Sequence, residues 1–126
     1  MQRKKNMVIL DTNMILRYLL NDNAEMAEYA ENLIENETAE VTTEVIAEVV
    51  YVLKGVYHLE RNVIVNVLIS FLGNVTCQNS EVLHLALKTY GEVNLDFVDC
   101  VLYAYHKANG AEIATFDKKL IKMLSD

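Results

Sequence analysis

The 126-residue chain has no proline, no tryptophan, only four glycines and only two cysteines. Without proline or a Gly-rich or Ser-rich tract, no segment has the composition of a linker, and no internal repeat is present, so residues 1–126 read as a single domain. Cys77 and Cys100 lie far apart with no Cys or His at ligand spacing. A disulfide framework and a zinc site are therefore not expected, and buried free thiols are. Long apolar runs are also missing, since none approaches the roughly 18 to 20 residues of a membrane span. The start, Met1–Asn6, has no apolar signal-peptide core behind it. The expected compartment is the cytoplasm, with no membrane among the partners.

Basic residues are scarce: 11 Lys and Arg stand against 18 Asp and Glu, a formal net charge of −7. That excludes tight, indiscriminate nucleic-acid binding, which is largely phosphate neutralisation. The deficit is local, however. No basic residue lies between Arg17 and Lys54, and that stretch holds half of the acids, from Asp22 to Glu48. Most of these are expected on a solvated helix face, so the total does not exclude an RNA substrate.

What the chain does contain is a regular alternation. Hydrophobic residues make up 52% of it, enough for a sizeable core. The apolar run Met7–Leu10 has strand length and is followed by Asp11-Thr12-Asn13, a helix start. Met14, Ile15, Tyr18 and Leu19 recur at helical spacing, and Ala24–Glu35 resumes after Asn21-Asp22-Asn23. Glu40–Thr43 reads as a strand, leading into a helix with Val45, Ile46, Val49, Val50 and Leu53 on one face and Gly55 as its stop. Residues 60–72 form a further helix, 74–78 a weak strand, Ser80–Tyr90 a helix, and Leu95–Ala108 another that ends at Asn109-Gly110. Ile113–Thr115 is the last strand candidate, and Phe116-Asp117 opens a short terminal helix. Strands alternating with helices imply an α/β fold, a three-layer α/β/α sandwich around a short, mostly parallel sheet of four strands, or five with a further edge strand.

In open sheets of this kind the functional crevice lies beyond the carboxyl ends of the strands. Asp11 follows the first strand, Asp117 the last, and Glu48 lies about a turn into the helix after Val41. At 100° per residue Glu48 projects at the border of the apolar face, while Glu44 points further to solvent and suits the helix dipole. Asp96 and Asp99, three apart, share one helix face, with Asp99 the deeper. Four carboxylates within about 4 to 6 Å repel by roughly 1 kcal/mol per pair in water and about 4 at an effective dielectric near 20. Protons or a hard cation must compensate, and Mg²⁺ or Mn²⁺ suits such oxygen donors. A bound cation that acidifies water is nuclease chemistry. Asn13 and Thr115 are placed to hold carboxylates or bound waters in position. His58, His84 and His106 have no partner at a recognisable spacing and receive no role.

The segments Asp11-Thr-Asn13-Met-Ile-Leu-Arg17, Glu48-Val-Val-Tyr-Val-Leu53, Asp96-Phe-Val-Asp99-Cys-Val-Leu102 and Ala114-Thr-Phe-Asp117-Lys-Lys119 together resemble the PIN domain, a family that includes the VapC-type toxins of toxin–antitoxin pairs. The likeness spans nearly the whole chain. It implies a ribonuclease dependent on Mg²⁺ or Mn²⁺, with Asp11, Glu48, Asp99 and Asp117 as the acidic quartet. Asn13, Thr115 and Asp96 match accessory positions. Arg17, Lys54, Lys118 and Lys119 are the candidates for substrate contact, and a cognate antitoxin and a homodimer are the implied partners. Many relatives continue into a further edge strand after the position of Asp117.

Other readings fare less well on the residues. A phosphoacceptor receiver domain needs an acid after its third strand, where residues 74–80 have none, and an Asp-nucleophile phosphatase needs a second acid where Asn13 stands. A PIN-like RNA-processing nuclease without an antitoxin, or a noncatalytic PIN-like interaction module, remains as an alternative. The retention of all four acids weighs against the second.

Overall fold

A computed structural model of the chain describes residues 6–126; Met1–Lys5, most of the polar start noted above, lies outside them. The elements run β1 (Met7–Ile9), α1 (Thr12–Leu20), α2 (Ala24–Asn36), β2 (Thr38–Val41), α3 (Thr43–Gly55), α4 (Arg61–Leu72), β3 (Thr76–Cys77), α5 (Ser80–Glu92), α6 (Phe97–Asn109) and α7 (Lys118–Leu124). Polar residues cap four helix starts, Asp11 and Asp117 as the sequence suggests and Asn23 and Thr42 in addition. The side chains of Asp11, Asn23, Thr42 and Asp117 accept from the backbone N–H three residues on, closing the first turns of α1, α2, α3 and α7. Because Thr42 caps α3, the second strand ends at Val41 and begins at Thr38, earlier than the expected Glu40–Thr43.

The sheet is parallel with order β1-β2-β3. Met7 pairs with Thr38, Ile9 with Glu40, and Val41 with Cys77. It has three strands among the described residues, where four or five were expected. Ile113–Thr115 is not a strand. After the left-handed cap at Gly110 (φ 70°), residues 111–116 alternate between half-buried Ala111, Ile113 and Thr115 and exposed Glu112, Ala114 and Phe116. The period of two is real, but it reports one face resting on the protein and does not supply a neighbouring ladder.

Parallel pairing puts Val8, Ala39, Val41 and Cys77 on the sheet face that packs into the core, with Leu10 just beyond the end of β1. That core is one cluster. It joins Ile15 and Leu16 of α1, Ile46, Val49 and Leu53 of α3, Ile64, Leu68 and Phe71 of α4, Leu83 and Leu87 of α5, and Phe97, Cys100 and Ala104 of α6. The opposite face is not covered over β1, where Met7 and Ile9 are 67% and 62% exposed. Helix α2 packs on α1 and β2, so the second helical layer of the expected sandwich is incomplete. Both cysteines are free, with Cys100 buried and Cys77 half-buried.

Arg61, the first residue of α4, ties this core to the loop ahead of α6. Its Nε donates to the Tyr90 carbonyl at 2.8 Å, its Nη2 donates to the Leu95 carbonyl, and its guanidinium carbon lies 3.7 Å from the Tyr90 ring centroid. Lysine keeps the charge but has neither the planar fork nor the flat stack. Arg61→Lys is therefore expected to lower the unfolding free energy by about 1 to 3 kcal/mol in urea titration, and an unchanged midpoint would show that the fork contributes nothing.

Candidate metal centre

Five acids were singled out, and local structure fixes the position of each. Asp11 leaves β1 and caps α1, with Oδ1 accepting from Met14 N–H at 2.8 Å. Asp117 does the same for α7, accepting from Leu120 N–H at 2.8 Å, while its own N–H donates to Thr115 Oγ1 at 3.0 Å. Thr115 thus holds the Asp117 backbone, not its carboxylate. Each of the two capping carboxylates keeps its second oxygen out of the cap. Asp96 precedes α6 with no side-chain cap bond, and Asp99 sits in the first turn of that helix, half-buried. Glu48, expected at the edge of the apolar face of α3, is exposed, as is Glu44.

The electrostatics single out Asp99. Burial pushes its carboxyl above the usual range, and the charges of Asp117 and then Asp96 push the same way. The N-terminal turn of a helix ordinarily favours a carboxylate by about 0.3 to 1 kcal/mol, so here desolvation and two like charges outweigh the dipole. Asp96, Asp99 and Asp117 therefore share one electrostatic neighbourhood. Asp11 and Glu48 are not among the charges acting on Asp99, and among the described residues no three acids stand together as a closed ligand set. The expected convergence of four is only partly met. Asp11 and Asp117 each commit one carboxylate oxygen to a helix cap and Glu48 is exposed on α3. The donors themselves, carboxylate oxygens with the Asn13 amide nearby, suit a hard divalent cation and not a soft one.

Of the expected substrate-binding cations, two are already engaged. Arg17 Nη1 lies 2.7 and 2.8 Å from the two carboxylate oxygens of Asp22, and its Nη2 donates to the Tyr57 hydroxyl at 3.3 Å. Lys119 Nζ donates to the Asn94 carbonyl at 2.8 Å. Lys118 is exposed, and Lys54 lines a cleft of about 550 Å³ between α3 and α6 with Arg61 and Asp96. Sequence reasoning passed over Arg61, although a cation on the first turn of a helix, against the dipole, was a signal that it bonds elsewhere. It also passed over Glu40, which is 5% exposed on β2. Cys100, next to Asp99, is inert: burial pushes its thiol up to about 12, with Asp99 and Asp96 adding to the shift against Arg61.

A family model for the PIN domain matches residues 8–123. The chain belongs to the PIN domain family, whose members are generally metal-dependent nucleases. Neither the curated proteins nor the solved structures yield a match.

The raised Asp99 carboxyl has a sign that can be checked. The proton is held more tightly in the fold than in the unfolded chain, so the stability it contributes is present below the unfolded value and lost as pH rises through the folded one. In metal-free buffer Asp99→Asn is expected to melt above wild type at pH 7, and the gap should close as the pH falls below the unfolded carboxyl value. A variant that melts lower than wild type at pH 7 would mean that Asp99 is not held against repulsion.

Proposed function

We propose that residues 1–126 act as one PIN-like domain that hydrolyses RNA phosphodiesters in the cytoplasm, using Mg²⁺ or Mn²⁺ held by Asp11, Glu48, Asp99 and Asp117. The observation that carries this reading is the half-buried Asp99 flanked by Asp96 and Asp117, with no basic side chain among the charges that act on it. A divalent cation there supplies charge neutralisation and a more acidic water for attack on phosphorus. The chain's own residues do the rest. Asp99 and Asp117 would hold the cation from the starts of α6 and α7, with Asp11 at the start of α1 and Glu48 on α3 as the remaining donors. Thr115 fixes the backbone of Asp117, Asn13 stands beside Asp11 at the mouth of the neighbouring cleft, and Lys54 and Lys118 are the cations left to meet the RNA backbone. Attack by water with departure of the 3′-oxygen leaves a 5′-phosphate. We take the biological role to be the toxin of a toxin–antitoxin pair, with a cognate antitoxin and a second copy of the chain as protein partners. The open arrangement of Asp11 and Glu48 favours a competing reading, a noncatalytic interaction module.

Two measurements separate these readings. Incubated with a mixed RNA pool and Mn²⁺, wild type is expected to produce 5′-phosphate ends, while Asp11→Asn and Asp99→Asn fall to background; equal cleavage by all three would assign the activity to a contaminant. Independently of activity, Mn²⁺ at a hundredfold excess over its Kd should stabilise wild type by about 2.7 kcal/mol and Asp11→Asn by much less. No thermal shift in wild type would favour the noncatalytic module.

A further inference from the structure

A second cleft, of about 450 Å³, opens between α1 and α2 directly beside Asp11. It lies within the range of roughly 300 to 1,000 Å³ typical of small-ligand sites. Its walls combine apolar and polar groups. Tyr29 is 61% exposed and Met26 49%, an aromatic ring and a thioether left in contact with water on a helix that otherwise turns glutamates outward. Asn13 and Asn23 add amides; Asn23 spends its Oδ1 on the cap of α2 and keeps its N–H₂ group for another acceptor. Arg17 also lines the cleft, although its Nε is closed off from the space.

The charges decide what fits. The cation of Arg17 is bound to Asp22, and Asp11 and Glu25 both face the same space. A phosphate is therefore repelled, and the favoured occupant is neutral, flat and able both to donate and to accept hydrogen bonds. Unpaired nucleobases have this chemistry, and they stack on exposed aromatic rings. We propose that the α1–α2 cleft is a nucleobase-binding subsite, in which Tyr29 stacks on one unpaired base next to the cut and the amides of Asn13 and Asn23 meet its edge. This rests on the ribonuclease reading and deepens it. The substrate is single-stranded or looped RNA, because a base stacked in an A-form duplex cannot enter, and the nucleotide beside the cut is read by the protein.

The test starts from the cleavage sites that wild type makes in an RNA pool with Mn²⁺. An octaribonucleotide containing one such site is then compared with versions carrying an abasic nucleotide at each position in turn. Tyr29→Ala is expected to raise KM on the intact octamer roughly 5- to 100-fold, with kcat little changed, and to leave KM unchanged on the version lacking the base next to the cut. Tyr29→Phe keeps the stack and should behave as wild type. Because Tyr29 is exposed, the alanine variant should fold, which its melting curve checks. Equal KM values for wild type and Tyr29→Ala on the intact octamer, or an equal loss on the abasic one, would overturn the subsite while leaving the nuclease standing. A wild type that cuts no RNA removes both. A Tyr29→Ala chain that changes its mass in solution, or wild type that binds an arginine-rich peptide in this cleft in place of the octamer, would assign the cleft to a protein partner and overturn the proposal.

Discussion

Three carboxylates at the starts of two helices, acting on one another through their charges, set the terms for this structure. Asp96 and Asp117 bear on the half-buried Asp99 because α6 and α7 pack on one another. The fold holds Asp99 half-buried at a cost that no hydrogen bond in its surroundings offsets. A purely structural role would be served better by Asn or Ser at position 99. Positive charge arriving there would relieve the repulsion, so on the proposed function stability and cation binding would be two aspects of one feature.

That arrangement depends on support from further away. Asp96 and Asp99 are delivered by the loop between α5 and α6, and Arg61 fastens this loop from α4 through two carbonyls and the ring of Tyr90. The repulsion at the start of α6 would otherwise be relieved by moving the loop. A guanidinium sandwiched between an aromatic ring and two backbone oxygens gives a rigid anchor, and the buried thiol of Cys100 and the ring of Phe97 pack the inner side of the same turn.

Much of the fold was legible in the residues because helices announce themselves twice, by the 3.6-residue spacing of their apolar positions and by their caps. Asp11 and Asp117 were visible as helix starts, whereas Thr42 falls in a segment that reads as strand, and the seven helices fell close to where the pattern put them, although α6 starts at Phe97, past Leu95, and α5 runs through Gly91 to Glu92. Strands were harder. The alternation at residues 111–116 marks a face, whereas pairing is a relation between two distant segments that neither one encodes alone. The candidate acids stood out by residue type and order, and of these readings the structure bears out the greater depth of Asp99 relative to Asp96. Glu48 shows the limit: a helical wheel gives a direction around the axis, but exposure depends on what packs there, and nothing covers that stretch of α3. Arg61 stayed hidden because its partners are backbone carbonyls, which leave no mark in the identity of Tyr90 or Leu95.

The outer side of β1 carries a consequence of a different kind. Asn6 and Leu10 spend their backbone groups on β2, so the ladder leaves those of Met7 and Ile9 facing outward without partners among the described residues, beside two exposed apolar side chains. Among the described residues this rim has no proline, lysine or bulge to blunt it, and only the three-residue length of β1 limits it as a template for one more rung. A single lysine at position 9 is the gatekeeper that would close it.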